Sequence, residues 1–131
     1  WDKKRGGTIS AGFAASQCDL AWTRGVIGHI RTLSHLWDGL RRDSEIGDHV
    51  HPTQKPVPLM AWCMETIGVP EGATVLDPYM GSGTTAIACI HTGRKFVGIE
   101  KDAKHFETAC ERVANELAQG VLLPPNEKGQ P

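Results

Sequence analysis

The stretch Asp77-Pro78-Tyr79-Met80-Gly81-Ser82-Gly83-Thr84 decides how this sequence folds. It follows a short apolar run, Ala73 to Asp77, and it precedes a run of small helix-forming residues, Thr84 to Thr92. The two glycines permit a tight turn and let the backbone come close to a ligand. The order therefore predicts a strand, a glycine-containing loop from Pro78 to Gly83, and a helix that is closed by Gly93.

A helix is predicted on the amino-terminal side of this stretch. Proline is well suited to the first position of a helix, which is where we place Pro56. Gly68 follows as a stop signal, and the residues between recur at helical spacing: Val57, Met60, Met64 and Ile67.

On the carboxyl-terminal side, Phe96 to Glu100 is predicted to be a second strand, and Asp102 is predicted to cap a third helix. We expect Gly120 to end that helix and Val121-Leu122-Leu123 to form a third strand. The apolar stripe of the third helix is expected at Phe106, Cys110, Val113 and Leu117. Strands that alternate with helices predict an α/β fold with a parallel sheet and right-handed crossovers.

In open parallel sheets, ligands bind beyond the carboxyl ends of the strands. The glycine loop lies at such an end, and the helix from Thr84 points its first amides toward the same space, which favours an anion. Glu100 ends the next strand about twenty residues later, where an acid meets ribose hydroxyls in nucleotide-binding sheets. Together these features predict an adenosine-type ligand, although each one also occurs in a plain turn.

Two related nucleotide sites fit the sequence less well. A phosphate-binding loop would need Gly-Lys followed by Ser or Thr, which does not occur here. The dinucleotide pattern needs a third glycine, and Ala86 stands at that position.

Composition limits the kinds of partner and cofactor that we expect. The 131 residues carry a formal net charge of -1, so nucleic-acid contact would depend on local basic patches. No apolar run approaches the roughly 18 residues that a membrane helix needs, and we expect no membrane contact. None of the four cysteines (Cys18, Cys63, Cys89 and Cys110) forms a CxxC pair, so we interpret them as reduced thiols and expect no metal.

Three segments together resemble the DNA N4-cytosine/N6-adenine methyltransferases. They are His51-Pro52-Thr53-Gln54-Lys55-Pro56, the stretch from Asp77 to Thr84, and Val97-Gly98-Ile99-Glu100. More narrowly, the chain resembles the C-terminal, cofactor-binding half of the beta-ordered (beta-class) group of phage and bacteria. The resemblance implies a Rossmann-like S-adenosylmethionine-dependent methyltransferase fold, here incomplete, in a cytoplasmic protein of a bacterial or phage-infected cell.

The resemblance also implies a set of cofactor-binding residues. Those at the glycine loop would hold the amino-acid end of S-adenosylmethionine, Glu100 would accept the ribose hydroxyls, and Ile99 would pack on the adenine. Thr53 and Lys55 would lie near the cofactor carboxylate. The full set is His51, Thr53, Gln54, Lys55, Asp77, Pro78, Tyr79, Gly81, Ser82, Gly83, Thr84, Ile99 and Glu100. The segment His51 to Pro56 could instead be a proline-bounded helix entry, and Tyr79 a core aromatic.

The catalytic signature of the family is Asp, Asn or Ser followed by Pro-Pro and an aromatic residue. Pro124-Pro125 does not fit it, because Leu123 precedes and Asn126 follows. Asp77-Pro78-Tyr79 has one proline and belongs to the glycine loop. We therefore assign no catalytic residue and expect the chain to be inactive alone. In the family this motif would lie upstream of Trp1.

Three segments are expected: residues 1–50, an irregular remnant of the catalytic and target-recognition side with short strands at Asp19 to Thr23 and Leu33 to Trp37; residues 51–123, the cofactor-binding α/β half; and residues 124–131, a flexible tail. Double-stranded DNA is the expected partner. DNA contacts are predicted for Lys3, Arg5, Arg41 and Arg42, with Arg41 and Arg42 expected on phosphate. Residues 1–50 carry nearly as many acids as bases, so a solvated mixed surface is an equal alternative.

Two alternatives to a DNA methyltransferase remain. One is a methyltransferase of RNA or of a small molecule, and the other is a non-catalytic remnant or subunit that needs a partner chain. Without further strands, the Ala73 to Asp77 strand would expose an apolar edge. We therefore expect the chain to be part of a longer enzyme or to bury that edge in a homo-oligomer.

Overall fold

The computed structural model describes residues 33–35, 44 and 54–122. Five elements follow one another: α1 (Val57–Thr66), β1 (Thr74–Asp77), α2 (Thr84–His91), β2 (Lys95–Gly98) and α3 (Ala103–Leu122). Each corresponds to an element predicted from the sequence, with bounds that differ by one or two residues at most ends. The predicted strand at 19–23 and the tail at 124–131 lie outside the described residues. Of the strand predicted at 33–37, Ser34 forms an isolated bridge.

Helix α1 begins immediately after Pro56, which occupies the cap position in an extended conformation rather than the first helical position. Its end is closed by Gly68, whose φ of 73° is a left-handed value that glycine adopts without strain. The Val69 N–H then bonds back to the Met64 carbonyl at 2.9 Å. Val57 and Met64 of the predicted stripe are buried, whereas Ile67 at the helix end is exposed.

Strands β1 and β2 pair in parallel, with Val75 opposite Phe96 and Leu76 opposite Val97. A parallel pair needs a crossover connection, and α2 supplies it. The predicted α/β fold with a parallel sheet is therefore confirmed. Among the described residues, the β1–α2–β2 unit forms an incomplete Rossmann-like arrangement.

Helix α2 is the centre of the core. Six consecutive residues, Thr84 to Cys89, are buried because α2 contacts α1, α3 and β2. Ala88 and Cys89 are fully enclosed, and small side chains at these positions let the neighbouring helices approach closely. The core cluster consists of Val57, Met64, Ile87, Ala88 and Cys89, with Val75 and Phe96 packed against it from the sheet.

The prediction that Gly120 ends the third helix and that Val121 to Leu123 form a strand is wrong, because α3 continues to Leu122. A glycine within a helix costs about 1 kcal/mol relative to alanine. Helix propagation is cooperative, so the long helix that precedes Gly120 offsets that cost.

The predicted stripe of α3 is not the face that packs on α2. Phe106, Cys110 and Leu117 are exposed and Val113 is half-buried, while Ala109 is buried and Arg112 half-buried. A small side chain at Ala109 allows backbone-level approach to the glycine loop, which a larger apolar residue would prevent. The large apolar residues Phe106 and Leu117 consequently lie on the open side of α3.

One face of the sheet is also open. Leu76 is 61% exposed and Val97, its neighbour in register, is 50% exposed. The opposite face carries Val75 and Phe96 and packs on the core. The two strands thus present a small apolar surface on this face. Burial of the edge of β1 in an oligomer stays a prediction.

Cys63, Cys89 and Cys110 are free thiols, and Cys18 lies outside the described residues. Burial raises the pKa of both Cys63 and Cys89, which favours the neutral thiol. Within the described ranges, no three histidines, cysteines or carboxylates are grouped so that they could hold a metal ion. No helix in this part of the chain is both long enough and apolar enough to cross a membrane.

Candidate functional site

Asp77 ends β1 and organises the loop that follows. Its Oδ1 accepts the Tyr79 backbone N–H at 3.0 Å, and its Oδ2 accepts the Thr85 hydroxyl at 2.7 Å. The first bond forms a local turn that an aspartate readily stabilises. The second joins the strand end to the first turn of α2. Asp77 thereby fixes both ends of the glycine loop.

The loop turns through two glycines with left-handed backbone, Gly81 at φ 53° and Gly83 at φ 79°. The Gly83 N–H donates to the Met80 carbonyl at 2.9 Å and closes the turn. A Cβ at Gly83 would lie 3.1 Å from the Ala109 Cβ, so this position also needs glycine for close packing on α3. The sequence-based assignment of a tight glycine turn between β1 and α2 is confirmed.

The loop is also joined to the end of β2. The Ile99 N–H donates to the Asp77 carbonyl at 2.9 Å, and the Met80 N–H donates to the Ile99 carbonyl at 3.0 Å. Gly98 allows this approach, because the Met80 sulfur and the Phe96 ring occupy the space that a Cβ there would need. The carboxyl ends of the two strands therefore form one continuous site.

Glu100 follows β2 and accepts two backbone hydrogen bonds. Its Oε1 accepts the Asp102 N–H at 2.8 Å, and its Oε2 accepts the Gly81 N–H at 2.9 Å. These N–H groups, that of Asp102 first, hold the pKa of Glu100 below its usual range. Each oxygen keeps a further lone pair, so the ionised carboxylate can accept two more hydrogen bonds from a ligand.

Asp102 caps the start of α3, as predicted. Its Oδ1 accepts the His105 N–H at 3.0 Å, which is the bond expected of an N-cap aspartate. This hydrogen bond is the main reason that the pKa of Asp102 is lowered. The acid after β2 and the cap of α3 thus form one connected unit, Glu100 to Asp102.

The open part of the site is formed by side chains of mixed character. Tyr79 is 88% exposed and Ile99 is 56% exposed, so both are available to a ligand rather than part of the core. This excludes the alternative that Tyr79 is a core aromatic. Pro78 is also exposed. By contrast Ser82, Gly83 and Thr84 are buried.

Nine of the predicted cofactor-binding residues lie together in the structure: Asp77, Pro78, Tyr79, Gly81, Ser82, Gly83, Thr84, Ile99 and Glu100. At the entry to α1, Gln54 is buried and Lys55 is exposed, and Lys55 forms no hydrogen bond with any described residue. The positions of His51 and Thr53 lie outside the described residues, as do those of Lys3, Arg5, Arg41 and Arg42.

Three residues that the sequence analysis missed help to build the site. Thr85 bonds the Asp77 carboxylate, and Arg112 donates to the Ser82 carbonyl at 2.6 Å. Ala109 packs against Gly83. A threonine directly after Gly-Ser-Gly-Thr was a local signal that could have been noticed. The roles of Ala109 and Arg112 depend on how α3 packs, which no local pattern reveals.

Comparison with known proteins gives a family. The model of the DNA methylase family matches residues 20–111 of the chain. The chain is 33% identical over 95 residues to the type II methyltransferase M2.LlaDCHI of Lactococcus lactis subsp. cremoris, covering 70% of this chain and 34% of that protein. It is 38% identical over 68 residues to the putative methylase YubD of Escherichia coli K12, covering 52% of this chain and 30% of that protein.

The chain spans about a third of the length of these relatives. Among solved structures, it is similar to the complex of M1.HpyAVI with SAM, at 46% identity over 48% of this chain and 31% of that one, with a TM-score of 0.45. The family model covers more than half of the chain, from before α1 into α3. The chain therefore belongs to the DNA methylase family.

Proposed function

We propose that this chain forms the S-adenosylmethionine-binding part of a DNA methyltransferase that methylates a base amine, with adenine N6 as the acceptor in preference to cytosine N4. The observation that carries the proposal is the joint geometry of the glycine loop and Glu100. Backbone donors, an ionised acceptor and an exposed apolar side chain adjoin one another at the carboxyl ends of β1 and β2. Ligands bind at this edge in open parallel sheets.

The donor set suits the chemistry of this cofactor. Glu100 is held ionised by backbone N–H groups, which makes it a strong acceptor for two neighbouring hydroxyls such as those of a ribose. Ile99 offers an exposed apolar surface to a purine ring. The amides at the start of α2 have no acceptor within the helix and favour a carboxylate.

Within this proposal the roles divide by residue. Tyr79 and the loop from Gly81 to Thr84 hold the amino-acid end, and Asp77 keeps that loop in place while its remaining lone pairs can meet an ammonium group. Lys55, exposed at the entry to α1, contributes a cation for the carboxylate, together with Gln54, His51 and Thr53 of the same segment. When bound, S-adenosylmethionine supplies an electrophilic methyl group on its sulfonium.

The amine of the target base must be held by other groups. The Asp-Pro-Pro-Tyr type of motif, whose polar group and aromatic ring grip a flipped base in this family, does not occur in the 131 residues. We therefore propose that the chain binds the cofactor but does not transfer the methyl group alone. Double-stranded DNA would be the substrate of the complete enzyme.

Calorimetric titration of S-adenosylmethionine into the 131-residue chain tests the cofactor proposal. We expect micromolar binding, and a loss of roughly tenfold or more in Glu100→Ala, because an ionised acceptor contributes about 1.5–3 kcal/mol through its hydrogen bonds. Glu107→Ala is the matched control, since Glu107 is an exposed acid of α3 away from the loop. Absence of binding by the unaltered chain, or equal effects of the two substitutions, would contradict the proposal.

Nucleoside mass spectrometry of DNA incubated with the chain and S-adenosylmethionine tests the proposal that the chain does not transfer the methyl group alone. We expect neither N6-methyladenine nor N4-methylcytosine from the chain alone. N6-methyladenine would overturn the proposed inactivity and support the proposed target. N4-methylcytosine would overturn both.

A further inference from the structure

Arg112 lies on α3 and is not one of the residues assigned to the cofactor, yet it contacts the glycine loop. Its guanidinium donates to the Ser82 carbonyl at 2.6 Å. The other end of the same peptide unit, the Gly83 N–H, donates to the Met80 carbonyl at 2.9 Å. Both ends of the Ser82–Gly83 peptide are therefore held, and the plane cannot rotate without breaking a hydrogen bond.

Rotation of this peptide would change the conformation of the loop. Gly83 has a left-handed φ of 79°, and glycine reaches other backbone regions at little cost. A glycine peptide without a partner would therefore sample several orientations. The hydrogen bond from Arg112 is charge-assisted, and such bonds are roughly twice as strong as neutral ones. It selects one of these orientations.

The rest of the α3 face supports the same contact. Ala109, one turn before Arg112, is buried against Gly83, so α3 sits directly behind the loop. Glu116, one turn after, accepts a hydrogen bond from His91 at the end of α2, at 2.5 Å. Three residues at spacings of three and four thus align α3 with the whole length of α2, with Arg112 at the centre.

We propose that Arg112 is a positioning residue that sets the affinity of the glycine loop for the amino-acid end of its ligand, through the Ser82–Gly83 peptide. The inference rests on the proposed function, which assigns that end of S-adenosylmethionine to the loop. Arg112 does not touch the ligand. Its effect is therefore confined to ligands that carry the amino-acid group and spares those that carry the adenosine part alone.

The test compares Arg112→Met with Arg94→Met in the 131-residue chain. Methionine retains an apolar stem of similar reach and removes the donors. Arg94 is a matched control, because its guanidinium also bonds backbone carbonyls, those of Val69 and Thr92, at the opposite ends of the strands. Each variant is titrated with S-adenosylhomocysteine, which has the amino-acid group, and with 5′-methylthioadenosine, which lacks it.

We expect Arg112→Met to weaken S-adenosylhomocysteine binding roughly tenfold, as loss of one hydrogen bond from a charged group implies, and to change methylthioadenosine binding by less than about twofold. Arg94→Met should change the two affinities by the same factor. Equal weakening of both ligands by Arg112→Met would mean general destabilisation and would overturn the inference.

Amide hydrogen exchange of the ligand-free proteins gives a readout that does not depend on binding. The Gly83 amide should exchange faster in Arg112→Met than in Arg94→Met, relative to the amides of the last turn of α2. An unchanged Gly83 amide would overturn the inference even if the ligand affinities changed. If the unaltered chain binds neither ligand, the proposed function fails, and the exchange of Gly83 still decides whether Arg112 positions the loop.

Discussion

Gly81 and Glu100 lie nineteen residues apart in the sequence and are joined by a hydrogen bond of 2.9 Å from the Gly81 N–H to the Glu100 carboxylate. The bond connects the loop after β1 to the acid after β2. Glu100 consequently has two functions in the proposed site, as an acceptor for ligand hydroxyls and as a support for the loop. Its protonation state should therefore affect the order of the loop even without a ligand.

The first prediction concerns pH. The backbone N–H groups of Asp102 and Gly81 keep the pKa of Glu100 below its ordinary value, and the N–H of His105 does the same for the pKa of Asp102. The folded state thus binds these protons less tightly than the unfolded state. Their stabilising contribution is complete above the ordinary carboxyl range, about 4, and is lost as pH falls through the lowered pKa values of the folded protein.

Urea unfolding between pH 7 and pH 3 measures this effect. The free energy of unfolding should fall on acidification in the unaltered chain, and Glu100→Gln should reduce the acidic slope because the amide does not titrate. Glu107→Gln, on the exposed side of α3, is the control. Identical slopes for the unaltered chain and Glu100→Gln would refute the assigned role of the carboxylate.

How far the sequence predicted this fold can be judged from β1, α2 and β2. Their order, their approximate bounds and the parallel pairing were predicted correctly, because short apolar runs, glycines and a capping Asp102 are local signals. The packed face of α3 was misassigned at three of its four predicted positions. Its position depends on Ala109 fitting against Gly83, which is a tertiary contact without a periodic signal.

The candidate site was likewise predicted where local sequence signals exist and missed where tertiary contacts decide. The glycine loop and Glu100 could be located, since both follow directly from the strand ends. The bonds that hold the loop could not, because Thr85 and Arg112 reach it through side-chain geometry and the packing of α3. Whether the assigned residues bind the cofactor stays a prediction.

The second prediction separates backbone strain from crowding at Gly83. Alanine at a left-handed position costs about 1–3 kcal/mol in strain, and this applies equally to Gly83 and to Gly68, with φ values of 79° and 73°. At Gly68 an added Cβ meets nothing within 4 Å, whereas at Gly83 it lies 3.1 Å from the Ala109 Cβ. Gly83→Ala should therefore destabilise the chain more than Gly68→Ala, by about 1 kcal/mol or more.

Thermal or urea unfolding of the two variants measures the difference. Adding Ala109→Gly to Gly83→Ala should recover part of the extra loss, because it removes the opposing Cβ. The same addition to Gly68→Ala should lower stability further, since glycine within a helix is unfavourable. Equal destabilisation by the two alanine substitutions would show that the contact with α3 is not tight.

The third prediction concerns the open sheet face. Leu76 and Val97 lie opposite each other in the two strands, and at least half of each residue is exposed. Contiguous exposed apolar residues favour association. We expect the chain to self-associate at high concentration. Leu76→Thr with Val97→Thr should reduce this association with little loss of stability, because threonine suits exposed strand positions.

Sedimentation velocity over a range of concentrations measures the association. Val75→Thr with Phe96→Thr is the control on the opposite face of the same strands, and it should lower stability because that face packs on the core. A stable monomer at high concentration in the unaltered chain would count against burial of this surface in an oligomer.

The last prediction tests DNA contact by Arg41 and Arg42, which the sequence assigns to phosphate binding. Each phosphate contact contributes about 0.9 to the slope of log K against log salt concentration. Arg41→Ala with Arg42→Ala should therefore weaken binding to duplex DNA of any sequence and reduce the slope by about 1.8. Fluorescence anisotropy between 50 and 200 mM salt, roughly the range over which such effects are large, is a suitable measurement. Lys95→Ala with Lys104→Ala removes the same charge from two exposed positions and serves as the control. An unchanged slope in the arginine variant would mean that the two arginines do not contact phosphate. An equal reduction in both variants would mean that they act through net charge rather than as specific phosphate contacts.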